Sequence, residues 1–135
     1  MSYDLVVFAP DAAPKKQRAF IEWYKAQMAG DAGSDPSVST PELQAWFADA
    51  IRSYPPMNGP LAPPDLPEDE VILTDYTIGK FTIYAGFAWS KAEQAYGMTF
   101  KLAEKHSVGL LDISSEKVKM WLPNGNGNLA LVDFG

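Results

Sequence analysis

Apolar and polar positions alternate along this chain in two rhythms, with short apolar or period-two runs predicting strands and 3.6-residue spacing predicting helices. Tyr3 to Ala9 (YDLVVFA) is almost unbroken in its apolar character and is bounded by Pro10-Asp11, as expected of a central strand covered on both faces. From Pro14 the spacing turns helical, with Phe20, Trp23, Tyr24, Gln27 and Met28 on one side, and Gly30 ends the pattern. A second helix opens with Thr40 as N-cap and Pro41 at the first helical position. Its stripe of Leu43, Trp46, Phe47, Ala50, Ile51 and Tyr54 runs until Pro55-Pro56 stops it.

The segment from Thr74 to Ser114 organises the rest, reading strand, turn, strand, helix, strand. With Gly79-Lys80 as a two-residue turn, Ile78 pairs with Phe81. That register puts Thr74, Tyr76, Ile78, Phe81, Ile83 and Ala85 on one face, continued by Phe87 and Trp89. Leu73, Asp75, Thr77, Thr82, Tyr84 and Gly86 take the other. Ser90-Lys91-Ala92-Glu93 fits a capping box, which predicts a third helix from Ser90 to about His106. Leu110 to Ile113 and Val118 to Leu122 read as strands joined through Ser115-Glu116. After the turn Asn124 to Asn128, the run Leu129 to Phe134 is an edge strand or a docked tail. The expected fold is one α+β domain, residues 1–135. It is a ferredoxin-like (split βαβ) antiparallel sheet with an extra helix after the first, one or two additional C-terminal strands, and helices on one face.

Composition narrows what such a domain does. A length of 135 residues with 47% hydrophobic content suits a single core. The net charge of −6 works against binding to nucleic acid or an anionic membrane and favours a basic protein partner. Cysteine is absent, which removes disulfides and thiolate chemistry. Leu5 to Ala9 is too short for an export signal, and no apolar run approaches a membrane span, so a cytoplasmic location is expected.

No motif identifies a reaction. The sole histidine, His106, sits in a predicted last helical turn, where a structural role is expected. No metal-ligand spacing, nucleophile motif or dinucleotide loop is present, so no catalytic residue, metal or cofactor is expected. The surface is what remains. Tyr54 to Glu70 holds six of the eleven prolines and ends in Asp65, Glu68, Asp69 and Glu70, a stiff acidic loop. Asp75, Tyr84 and Asp112, with Asp4, are expected on an open sheet face, completing an acidic partner-binding patch. One alternative is a small-molecule site, enzymatic or not, lined by Trp23, Trp46, Tyr54, Tyr84 and Trp89 between the sheet and the extra helix. Homodimerisation through the sheet or its edges is a third.

The runs PPMNGP (Pro55 to Pro60), TDYTIG (Thr74 to Gly79) and FAWSKAEQAY (Phe87 to Tyr96) resemble a set of small uncharacterised bacterial proteins. No site residues come with that resemblance. In size, acidity and lack of reactive residues the chain is also similar to immunity proteins of bacterial toxin systems. That similarity implies a non-enzymatic protein that neutralises a basic toxin domain.

Overall fold

The run Leu5-Val6-Val7-Phe8 is essentially inaccessible to solvent, which an extended chain achieves only with both of its faces covered. It lies in β1 (Tyr3–Phe8), near the middle of a single antiparallel sheet. The computed structural model describes residues 2–29, 33–57, 59–65, 67–114 and 118–132. Among these are five further strands: β2 (Asp75–Ile78), β3 (Thr82–Phe87), β4 (Gly109–Asp112), β5 (Lys119–Pro123) and β6 (Leu129–Val132). Three α-helices accompany them: α1 (Gln17–Ala29), α2 (Pro41–Ala50) and α3 (Ala92–His106). The strand order is β2-β3-β1-β4-β5-β6, so the architecture is α+β, and β6 is an edge strand. The expected end of α1 at Gly30, the Ser115-Glu116 connection and Phe134 lie outside the described residues.

Alternation along β1 divides the interior in two. Leu5 and Val7 point into a core shared with Leu43, Trp46, Phe47 and Ala50 of α2 and with Ala95 and Ala103 of α3. Val6 and Phe8 point the other way, into a second core with Phe20 of α1, Leu111 and Met120. Phe8 meets Phe20 edge to face with ring centroids 4.9 Å apart, a favoured aromatic geometry. Helices therefore cover both faces, not one as the sequence suggested. The apolar side of α1 had to be buried, and α2 and α3, which pack on each other, already occupy the first face.

The β2–β3 hairpin corrects the expected register. Ile78 pairs with Ile83, not Phe81, and Gly79 N–H bonds to the Thr82 carbonyl at 2.8 Å, so Lys80-Phe81 forms the turn. Partners thus shift by two residues, which moves Phe81 from the apolar face into the turn and leaves the paired residues of both strands on their expected faces. Thr40 caps α2 as expected, accepting the Leu43 N–H at 3.3 Å. The capping box at Ser90 does not form; Trp89–Lys91 is a 3-10 turn, and α3 starts at Ala92 with no side-chain cap.

The proline-rich segment meets the sheet just before β2. Pro55 and Met57 bond to Thr74 at one end of β2. At its other end Gly33 exchanges two backbone bonds with Ile78. Gly59 fits against Ser34 in a conformation (φ 91°) open to glycine, where a Cβ would lie 2.6 Å from the Ser34 Cβ. Proline, which donates no backbone N–H, is suited to covering a strand edge without extending the ladder.

Two glycines make opposite predictions for the same substitution. A Cβ at Gly109, which pairs with Phe8, would come 2.3–2.8 Å from the Phe8 ring. Gly109→Ala is therefore expected to destabilise the fold by about 1–3 kcal/mol through overpacking. Gly97 lies inside α3 with no atom within 4 Å of such a carbon, and Gly97→Ala is expected to stabilise by about 0.5–1 kcal/mol. Urea denaturation of both variants checks the pair.

Candidate functional site

Strand register gathers acidic side chains at one end of the sheet. Asp75 of β2 and Asp4 of β1 both pair with Gly86 of β3, so the two carboxylates flank one glycine in a single row on the α1 face. The Tyr84 ring folds across Gly86, where a Cβ would sit 2.8 Å from its hydroxyl, and the phenol donates to Asp4 Oδ1 at 2.7 Å. Burial, with Asp4 beside it, pushes Tyr84 up to about 12, so at neutral pH it remains a donor. Burial also pushes Tyr24 of α1 up to about 12, with Tyr84 and Asp4 adding to the effect. Ser2 donates to the same Asp4 oxygen, and the Asp4 N–H bonds to Ser114 Oγ at 2.7 Å.

The acidic loop enters the sheet at this end. Asp69 accepts the Val71 N–H and pairs with Lys91 Nζ at 3.2 Å, tying the 3-10 turn Glu70–Ile72 to the start of α3. Asp69 is therefore partly neutralised within the molecule. Asp65, Glu68 and Glu70 are exposed, and among the described residues no hydrogen bond or ion pair engages their side chains. The 3-10 turn Glu70–Ile72 touches a second one, Trp89–Lys91. Trp89 is 48% exposed, with its ring braced edge to face on Tyr3 at 5.2 Å.

Two expectations fail here. Asp112 does not join this row: it pairs with Leu5, so it lies on the opposite side of the sheet from Asp4, Asp75 and Tyr84. There it is buried, accepts the Ser114 N–H at 3.2 Å and lies close enough to Tyr3 and Tyr96 to raise both phenols further, beyond the effect of their burial. Nor is the sheet face open, because α1 covers Val6, Phe8, Leu111 and Met120 and leaves the acids only its margin. The aromatic-lined pocket dissolves as well. Trp46 and Tyr54 belong to one core, Trp23 and Tyr84 pack against the other, and Trp89 faces solvent, so no single cavity takes all five.

Comparison with known protein families, with curated proteins and with solved structures gives no match. Geometry alone then bears on chemistry. Among the described residues no group of three His, Asp or Glu side chains is placed to hold a metal ion. No helix there is long and apolar enough to cross a membrane.

His106 joins a cluster that sequence spacing did not reveal, because its partner is on another helix. Asp49 of α2 bonds to His106 Nε2 at 2.7 Å and to Lys105 Nζ at 3.0 Å, fastening the ends of α2 and α3 together. The hydrogen bond from His106, with that from Lys105, holds the Asp49 carboxyl below its ordinary value of 3.8. A carboxylate depressed in the folded state stabilises fully above the unfolded value and loses that contribution as pH falls through the folded one. The stability gap between the native chain and Asp49→Asn is therefore expected to be full at neutral pH and to close as the pH falls below the ordinary carboxylate range. Chemical denaturation across that range measures it; a constant gap would show that ionised Asp49 contributes nothing.

Proposed function

We propose that this chain is a non-enzymatic binding module that grips a basic protein with the acidic end of its sheet, acting in the cytoplasm as an immunity protein does on a toxin domain. One observation carries the reading. The row Asp4-Gly86-Asp75 stands at the same sheet end as the exposed Glu68 and Glu70 and the solvent-facing Trp89. Unpaired carboxylates around a braced aromatic ring match the anatomy of protein-binding surfaces, where an aromatic anchor supplies affinity and charge supplies orientation and speed. Net charge of −6 extends the attraction beyond contact range.

The strand order supports a finer reading of the scaffold. β1, α2, β2, β3, α3 and β4 form a split βαβ core of ferredoxin-like type, with α1, β5 and β6 as additions. In this scheme α2, not α1, is the first helix of the core. The segment before α2 supplies the helix that closes the remaining face.

Charge reversal locates the binding surface. With a basic partner recovered by co-purification, Glu68→Lys combined with Glu70→Lys is expected to slow association about tenfold or more at low salt, and little at high salt. Glu42→Lys combined with Asp11→Lys, two exposed positions away from the acidic end, changes net charge by the same amount and serves as the control. Equal slowing by both would remove the acidic end from the account. Trp89→Ala is expected to speed dissociation by about 2 kcal/mol equivalent while leaving the association rate nearly unchanged, as measured by surface-based kinetics.

A further inference from the structure

A cleft of about 450 Å³ opens at the other end of the sheet, between the loop after β1, the last turn of α3 and the β5–β6 turn. Its volume falls in the range of small-ligand sites, about 300–1,000 Å³. Leu122 gives it an apolar wall, and Lys15, Asp11, Glu104, Ser107 and Asn128 line it with both signs of charge and neutral hydrogen-bonding groups.

Lys15 and Glu104 are held in place with capacity to spare. Lys15 Nζ donates to the carbonyl oxygens of Pro10 and Ala13, which leaves one of its three donors uncommitted. One oxygen of Glu104 accepts the Leu129 N–H at 3.3 Å, leaving its other oxygen available. The β5–β6 wall is stiffened by Asn124 Oδ1, which accepts the N–H groups of Asn126 at 2.9 Å and Asn128 at 3.4 Å. Gly125 and Gly127 in that turn have open space where a side chain would project, so a ligand can approach the backbone closely.

Ser107 is the one non-glycine residue with positive φ among the described residues (φ 56°). It terminates α3 with its N–H bonded back to the last helical turn, a position that glycine fills with less strain. Ser107 and Asp11 line both this cleft and a second one of about 360 Å³. Strained backbone of this kind concentrates at functional positions.

We propose that the cleft binds a small zwitterion, an α-amino acid with an apolar side chain. Its ammonium group lies against the carboxylates of Asp11 and Glu104, its carboxylate takes the spare Lys15 donor and the Ser107 hydroxyl, and its side chain covers Leu122. This site is independent of the protein-binding reading, since it occupies the opposite end of the sheet.

Amide-resolved NMR titration of the full chain with L-leucine tests it. Isoamylamine, which lacks the carboxylate, and 4-methylpentanoate, which lacks the ammonium, are the controls. Saturable shifts at Ser107, Gly125, Gly127 and Asn128 are expected with leucine, and affinity at least about tenfold weaker with either control. Glu104→Gln keeps an acceptor for the Leu129 N–H, so it should leave Tm unchanged while weakening leucine about fivefold or more. Ser107→Gly should raise Tm by a few degrees and still weaken leucine. Absence of saturable shifts, equal binding of isoamylamine, or unchanged leucine affinity in Glu104→Gln would each overturn the proposal.

Discussion

Everything in this fold follows from the burial of β1 on two sides. Leu5 and Val7 on one face and Val6 and Phe8 on the other are all within 1% of complete burial, so each face needs its own helical cover. A run of four apolar residues cannot satisfy a sheet with one solvated face, since two of them would then stand in water. Helix α1 closes one side while α2 and α3 close the other, and the β2 edge is met at its two ends, by Pro56 against Thr74 and by Gly33 against Ile78. With both faces filled, it is at the two ends of the sheet that the acids and the cleft are found.

Local signals were legible where neighbours in sequence decide the outcome. The Thr40-Pro41 start of α2 and its buried stripe could be read directly, because capping and 3.6-residue spacing are properties of the segment itself. The hairpin faces survived an error in the turn, because moving partners by two preserves parity whereas moving by one inverts it. What could not be read depended on packing between distant segments. The periodicity of α1 shows which side of the helix is buried but not which face of the sheet receives it. The side of the sheet that Asp112 takes is hidden in the sequence for a related reason. In β4 both Leu110 and Leu111 are apolar, so the run carries no alternation, and only pairing with Leu5 and Val6 fixes its parity.

The capping box at Ser90 failed in a different way. Ser90 and Glu93 have the right spacing, yet Trp89 is engaged with Tyr3 and Lys91 with Asp69. These two contacts accompany a tight 3-10 turn at the point where α3 would otherwise begin. A cap contributes about 1 kcal/mol, so an aromatic contact and an ion pair suffice to outweigh it. The Lys91–Asp69 pair also ties this turn to the turn Glu70–Ile72, so the local irregularity shapes the surface at this end of the sheet.

Asp4 shows how the proposed binding surface would present its charge. Tyr84 serves Asp4 as a fixed donor, occupying Oδ1 together with Ser2. A carboxylate whose first oxygen is locked in this way has its orientation decided before a partner arrives. A Lys or Arg approaching the other oxygen then orders fewer groups on binding, and the entropy it would otherwise cost has been met during folding. Gly86 is the condition for that arrangement: with any larger residue there, the Tyr84 hydroxyl would be displaced from Asp4. Preorganised charge, held by a glycine between two aspartates, is what the register of three strands contributes at this end of the sheet.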